Sequence, residues 1–326
     1  IGQTLQTTRF TREDEDVIGD SEQNLTGFDA LNGDRVLSDT RIAYPMEWPF
    51  GFLTPQAEYR YRHYQLTNDD DTLGDFDTQV SHGVPRYSLD GGLYFEREFD
   101  WFGGEYQQTL EPRLYWVKSP FLSGQQDIPN FDSSRTTVTY NSLFTGDRFT
   151  GGDRLADLDQ ISAGVTTRFI NDAGLEQFRA SAGRIWYNSD RRVQLDGSSI
   201  PDADTRGMSS LLGEVEWNPT LNWSLYHTLE WDSYRDFARQ RRYGVRYEDE
   251  NNHFLNVATN TVQSWNTTDE EVDTSTRQID AGFFWALTDS WAIVGRQLRD
   301  LRSYDADERQ PISPVLESLA GFEYQN

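Results

Sequence analysis

The sequence predicts an all-β chain: an antiparallel up-and-down transmembrane β-barrel segment of about fourteen strands, part of a larger barrel. Three observations carry that prediction. Apolar and polar residues alternate with period two through most of the chain, the connections between these runs are short and long in turn, and all ten tryptophans fall near the ends of the runs. Composition agrees. Of 326 residues 36% are hydrophobic and 14% aromatic, so the mean hydropathy of -0.74 reflects strands with one apolar and one wet face rather than disorder. No run of about 18 apolar residues occurs, which excludes a spanning helix but not spanning strands of about 9–11 residues.

In chain order the first five strands are predicted at 1–11, 36–47, 53–67, 85–99 and 105–118. Tyr59, Tyr61 and His63 alternate with Glu58, Arg60 and Arg62; Leu110, Pro112, Leu114 and Trp116 alternate with Thr109, Glu111, Arg113 and Tyr115. Pro112 removes one ladder donor, so a local bulge is expected there. The next three strands are 159–170, 175–188 and 208–217, where Ile161, Ala163, Val165, Thr167 and Phe169 alternate with Ser162, Gly164, Thr166 and Arg168. Strands 221–232, 237–248 and 253–265 follow, with Tyr243, Val245 and Tyr247 opposed to Arg242, Gly244, Arg246 and Glu248. The last three are 276–287, 290–300 and 314–325, where Ile279, Ala281, Phe283, Trp285 and Leu287 mark one face of the first.

The short connections, 48–52, 100–104, 171–174, 218–220, 249–252 and 288–289, hold the Gly, Pro, Asn and Asp that tight turns need. The others, 12–35, 68–84, 119–158, 189–207, 266–275 and 301–313, are long and mostly polar, and only 233–236 breaks the alternation. Short turns at one rim and long loops at the other are the pattern of an outer-membrane barrel. Trp48, Trp101, Trp217, Trp223, Trp285 and Trp291 lie at the short-turn rim, and Trp116, Trp186, Trp231 and Trp265 at the other. Indole has an apolar body and an N–H donor, which suits a membrane interface, so these ten residues are expected to form two girdles. The opposite strand face is charged and requires a wet or polar-filled interior. Loop 119–158 is too long for a plain connector and is expected to fold over or into that interior.

Asp and Glu (54) outnumber Lys and Arg (29), and the net charge of -25 argues against nucleic acid as a partner. Acidic runs at Glu13, Asp14, Glu15 and Asp16, at Asp69, Asp70 and Asp71, and at Asp269, Glu270 and Glu271 read as solvated loops. A sharper reading gives them divalent cations; no other cofactor is expected. Without cysteine this segment supplies no disulfide and no thiolate metal site. No G-x-S-x-G, G-x-G-x-x-G, H-E-x-x-H or P-loop occurs, and His63, His82, His227 and His253 lack metal-ligand spacing, so no enzyme is expected. A hydrolase assembled across strands is the enzymatic alternative. Ile1 lacks a preceding start methionine or leader, and Asn326 directly follows a strand-like run, so both ends read as cut from something longer.

The stretch Thr109-Leu110-Glu111-Pro112-Arg113, then Pro129-Asn130-Phe131-Asp132, Gly151-Gly152-Asp153-Arg154 and Gln160-Ile161-Ser162-Ala163-Gly164-Val165-Thr166-Thr167-Arg168 resembles, in content and order, the C-terminal barrel of the LPS-assembly protein LptD family. Ser181-Ala182-Gly183-Arg184-Ile185-Trp186-Tyr187 and Asp289-Ser290-Trp291-Ala292-Ile293-Val294-Gly295 extend the likeness. The resemblance implies a partial barrel domain over 1–326, with an N-terminal jellyroll and the first and last barrel strands absent. It implies insertion of lipopolysaccharide into the outer leaflet of a Gram-negative outer membrane, without enzymatic chemistry. The implied partners are lipopolysaccharide, an LptE-like plug lipoprotein, a periplasmic bridge protein that meets the jellyroll, and outer-membrane lipid. Glu111, Arg113, Arg168, Arg242 and Arg246 face the predicted interior and are the candidates for lining a cargo or plug cavity; the competing view pairs them with interior carboxylates. Two other classes compete: a passive porin or hydrophobic-substrate channel, and a soluble, acidic, Trp-rich carbohydrate-binding β-protein.

Overall fold

A computed structural model describes residues 1–11, 31–67, 77–101, 103–125, 128–195, 200–266, 270–301 and 315–324. Its strands are β1 (Gly2–Phe10), β2 (Asn32–Ala43), β3 (Met46–Trp48), β4 (Gly51–Thr67), β5 (Gln79–Leu93), β6 (Phe95–Trp101), β7 (Gly104–Ser119), β8 (Ser134–Arg135) and β9 (Phe149–Thr150). They continue with β10 (Leu158–Asn171), β11 (Glu176–Tyr187), β12 (Leu211–Trp217), β13 (Trp223–Asp232), β14 (Phe237–Glu248), β15 (Phe254–Asn266), β16 (Glu271–Ala286), β17 (Trp291–Asp300) and β18 (Val315–Tyr324). Fourteen of them stand side by side in sequence order, β1-β2-β4-β5-β7-β10 through β18, while β3 pairs with β4 and β6 with β7. β3 and β6 therefore continue β2 and β5 past short breaks at Tyr44-Pro45 and Tyr94, and the expected fourteen long strands are present. The sheet is antiparallel and runs up and down without a crossover.

Two expectations are corrected. β7 pairs with β5 over Arg113–Lys118 and with β6 over Gly104–Leu110, without a register shift in either ladder. Pro112, which has no N–H, sits in the interval, so it produces a gap in pairing and not a bulge. Connection 266–275 is not a long loop: β16 begins at Glu271 and pairs with β15 as far as Asn266. Past Val272, the run Asp273-Thr274-Ser275-Thr276 is polar on both faces and lacks alternation, yet ladder hydrogen bonds extend the strand. The same reasoning starts β2 at Asn32 and β5 at Gln79, earlier than alternation placed them. Register shifts at Glu230/Trp231, Val262/Gln263 and Leu298/Arg299 lie toward the strand ends opposite the short turns.

The chain forms two compact units, 1–93 with 113–163 and 185–209, and 94–112 with 164–184 and 210–326. In the second, the register lines up Val215, His227, Tyr243, Thr259 and Ile279 across five strands on one face. Glu216, Tyr226, Gly244, Ala258 and Asp280 line up on the other. In the first, Leu89 stands beside Trp116 and Gly91 beside Leu114, and Trp116 and Leu114 are exposed; Arg35, Arg62 and Tyr64, on the opposite face, are buried. What buries them is the segment between β7 and β10.

Candidate functional site: a polar face and the loops folded on it

Arg35 on β2 and Arg62 on β4 are each 1% exposed, so their charges must be met inside the protein. The Arg35 guanidinium donates to both carboxylate oxygens of Asp132 at 2.8 and 2.7 Å and to Oδ1 of Asp153 at 2.7 Å. Arg62 donates through Nε to the Gly152 carbonyl at 2.8 Å and through its terminal nitrogens to Asp39. Tyr64 completes the group by donating its hydroxyl to Asp153 at 3.0 Å. A fork-shaped bidentate pair fixes orientation as well as charge. Around it Leu31, Tyr64, Leu66 and Ile128 form an apolar cluster, against which Val80 and Phe131 pack.

The loop motifs are built for this contact. Asn130 and Ser133 close a turn through reciprocal side-chain and backbone bonds of 2.9 Å. That turn aims the Phe131 and Asp132 N–H groups at Oδ2 of Asp153, both at 2.8 Å. Gly151 has φ +73°, and a Cβ there would meet the Asp132 carbonyl. At Gly152 a Cβ would lie 2.8 Å from the Arg35 guanidinium carbon. Burial pushes the Asp132 carboxyl up, but the Arg35 guanidinium and the Gly152 N–H outweigh it and hold it at about 2.

The connection between β11 and β12 locks onto the first loop. Arg154 donates to the carbonyls of Ile128, Gln194 and Leu195, and Asp157 accepts the N–H groups of Arg192 and Val193 at 2.8 and 3.1 Å. Asp204, in the short helix α1 (Asp202–Thr205), accepts from Arg135 at 2.8 Å and Arg148 at 3.0 Å. Partial burial raises the Asp204 carboxyl, but those arginines and Gln194 hold it below its ordinary value. Asp147 ties the same loop to the strands, accepting from Arg86 at 2.6 Å and Arg60 at 3.3 Å. The loop expected at 119–158 thus folds onto the polar face; β8, β9 and a 3-10 turn at Asn141–Phe144, which alternation did not reveal, are part of it.

The five interior candidates divide into two groups. Arg168 bridges Glu111 at 3.0 Å and Glu176 at 2.7 Å. Arg113 is bidentate with Asp90 and lies 4.3 Å over the Phe144 ring. Arg242 and Arg246 have no ion-pair partner among the described residues; they flank the Tyr226 ring at 5.7 and 6.0 Å. Carboxylates of the same face thus form ion pairs with Arg113 and Arg168, whereas among the described residues Arg242 and Arg246 form none. Arg35, Arg62, Asp132 and Asp153 carry the loop contact and were not among the candidates. Arg35 was missed because alternation began the strand at Val36, although an arginine one position earlier, in phase with Leu37, was the available signal.

Of the tryptophans, Trp48, Trp101 and Trp217 end strands, Trp223 and Trp291 begin them, Trp186, Trp231, Trp265 and Trp285 are penultimate, and Trp116 stands three residues from the end of β7. Trp48, Trp116, Trp186, Trp217, Trp223, Trp285 and Trp291 are exposed. Short-turn aromatics touch: Trp223 and Tyr247 are 4.9 Å apart, Trp291 and Tyr324 5.0 Å, and His253 stacks on Trp285 at 4.1 Å. The acidic runs Glu13, Asp14, Glu15 and Asp16 and Asp69, Asp70 and Asp71, with Asp269, lie outside the described residues. No helix among the described residues is long and apolar enough to cross a membrane, which says nothing of strands.

These features define a class: an up-and-down antiparallel wall, apolar and aromatic-edged on one face, charged and loop-covered on the other. The family described as LptD, LPS transport system D, matches residues 1–291, and the chain belongs to that family. It is 33% identical to the LPS-assembly protein LptD of Pseudomonas syringae pv. tomato, over 99% of this chain and 37% of that protein. To the protein of that name from Marinobacter nauticus it is 35% identical, over 93% of this chain and 35% of that protein. The chain thus spans little more than a third of the length of the curated relatives it matches. A ferric enterobactin receptor mutant from Pseudomonas aeruginosa aligns with 83% of this chain and 44% of that chain at 9% identity and a TM-score of 0.38, a likeness too low to bear on the fold.

Proposed function

We propose that this chain is a stretch of barrel wall in a Gram-negative outer membrane, in the subunit that places lipopolysaccharide in the outer leaflet. The observation that carries the proposal is the two-faced sheet. Side chains on the apolar face such as Leu114, Phe283 and Phe322 are 60%, 41% and 76% exposed, and leaving each wet sacrifices about 1.5–3 kcal/mol that a bilayer supplies. The opposite face carries charge at nearly every strand, which suits a wet interior passing a polar sugar or holding a folded plug. Membership in the LptD family supports lipopolysaccharide as the cargo, an LptE-like lipoprotein as the plug, and a periplasmic bridge protein reached through a jellyroll outside this chain. The assignment is to transport and assembly, without catalysis.

In-cell photocrosslinking of the complete protein tests this. A photoreactive residue at the polar-face positions Thr228 and Asn260 should capture lipopolysaccharide or the lipoprotein, and one at Leu229 or Val257 on the other face should capture phospholipid. Conduction of small solutes with no lipopolysaccharide captured at any polar-face position would favour the porin reading instead.

A further inference from the structure

Arg242 and Arg246 stand out on physical grounds. In a chain with 54 acidic and 29 basic residues, arginines should find carboxylates easily, and their neighbours do. Arg179 pairs with Glu216, Arg239 with Glu230, and Arg296 with Asp280 and Glu317. Two carboxylates near Arg242 and Arg246 are taken by other groups: Glu216 also accepts from Ser224 at 3.1 Å, and Asp280 is held bidentately by Arg296. Neither Arg242 nor Arg246 has an ion pair among the described residues.

The backbone holds this pair open. Arg242 and Arg246 are four residues apart on β14 and point to the same face. Between them Gly244 lies opposite Tyr226, whose ring occupies the space a Cβ would take, 2.1 Å from the ring carbon that bears the hydroxyl. The ring is thus laid flat between the two guanidiniums, and its hydroxyl reaches toward Asn256 at 3.5 Å. Together with Thr228, Arg179 and Glu214 these groups line a cavity of about 270 Å³. Glu216 also lines the cavity, but Arg179 takes it as an ion pair, so the two planar forks on either side of a phenol form a receptor for a doubly or singly charged oxyanion.

We propose that Arg242, Arg246 and Tyr226 form an anion-binding site on the polar face, which takes the phosphate groups of a phosphorylated glycolipid. The glycolipid part rests on the functional reading above; the anion part does not. The test uses arginine-selective modification of the complete protein in detergent, read at Arg242 and Arg246 by mass spectrometry. The probes are a phosphorylated glycolipid, the same lipid after dephosphorylation, and inorganic phosphate. The phosphorylated lipid should slow modification of both arginines about tenfold or more, the scale of losing one or two charge-assisted bonds, and the dephosphorylated lipid should not. The double variant R242Q/R246Q should bind the phosphorylated lipid correspondingly more weakly, while R296Q, whose arginine is already ion-paired, should bind it normally. Protection by inorganic phosphate with none by the lipid would keep the anion site and overturn the glycolipid as its occupant. Unchanged modification rates with all three probes would overturn the site itself.

Discussion

Arg35 is the residue on which the docked loop turns. Its removal leaves Asp132 and Asp153 facing each other across a buried space, and breaking a buried pair in this way costs about 3–5 kcal/mol. Arg35→Ala should therefore release the loop, read as new protease cuts within 128–157 while the strands stay intact; an unchanged cleavage pattern would deny Arg35 that role. A second residue carries a pH dependence. The His253 ring has acceptors on both sides, Asp249 Oδ2 at 2.9 Å from Nδ1 and the Ala286 carbonyl at 3.0 Å from Nε2, so its protonated form can donate to both. The Asp249 hydrogen bond raises His253 above its ordinary 6.5. Asp249, pushed up by desolvation but held by His253 and two backbone N–H groups, stays at about 2. A raised histidine stabilises fully below 6.5 and loses that contribution as pH climbs through its folded value; a depressed aspartate loses its contribution only as pH falls toward about 2. Turn 249–253 should open more readily at pH 8 than at pH 6 by hydrogen exchange corrected for intrinsic rates. His253→Phe, which keeps an aromatic ring against Trp285, should abolish the difference. The Arg35 arrangement was not legible in the sequence, since loop return brings its partners together. Of the His253 contacts only the one to Asp249, four residues away in a predicted turn, is local, and the one to Ala286 depends on strand pairing.

Elements were far more legible than their partners. Alternation placed all fourteen long strands because each has one apolar face, and it failed where that face is missing, as in Asp273–Thr276, or where proline interrupts pairing without shifting register. The loop between β7 and β10 was legible in length and in its Pro129-Asn130-Phe131-Asp132 and Gly151-Gly152-Asp153-Arg154 motifs; its landing place was not. Its docking has a consequence at the same scale. The loop brings Asp132, Asp147 and Asp153 to Arg35, Arg60 and Arg86, and without it those arginines face an open, wet surface. Deleting 128–153 from the complete protein should weaken retention of a plug partner or lower the inhibitory concentration of bulky antibiotics several-fold. Retention and permeability both at wild-type levels would show that the docked loop seals nothing.

At the scale of the molecule, the two faces make opposite predictions for one chemical change. Val215 lies in the row Val215, His227, Tyr243, Thr259 and Ile279, midway along the apolar face, and is 40% exposed. Gln278 lies on the polar face beside Asn260 and Asp300. If the apolar face meets lipid, Val215→Arg places an ion in hydrocarbon and should cost about 2–4 kcal/mol of folding free energy in a bilayer. Gln278→Arg, in a wet and acidic setting, should change stability by less than about 0.5 kcal/mol. Reversible folding of the complete protein into vesicles, followed by tryptophan fluorescence, measures both. A soluble carbohydrate-binding protein of the same sheet would accept an arginine at an exposed Val215 as readily as at Gln278, so equal costs at the two positions would remove the membrane from the account, and unequal costs in the stated order would assign lipid to the face that carries the tryptophans.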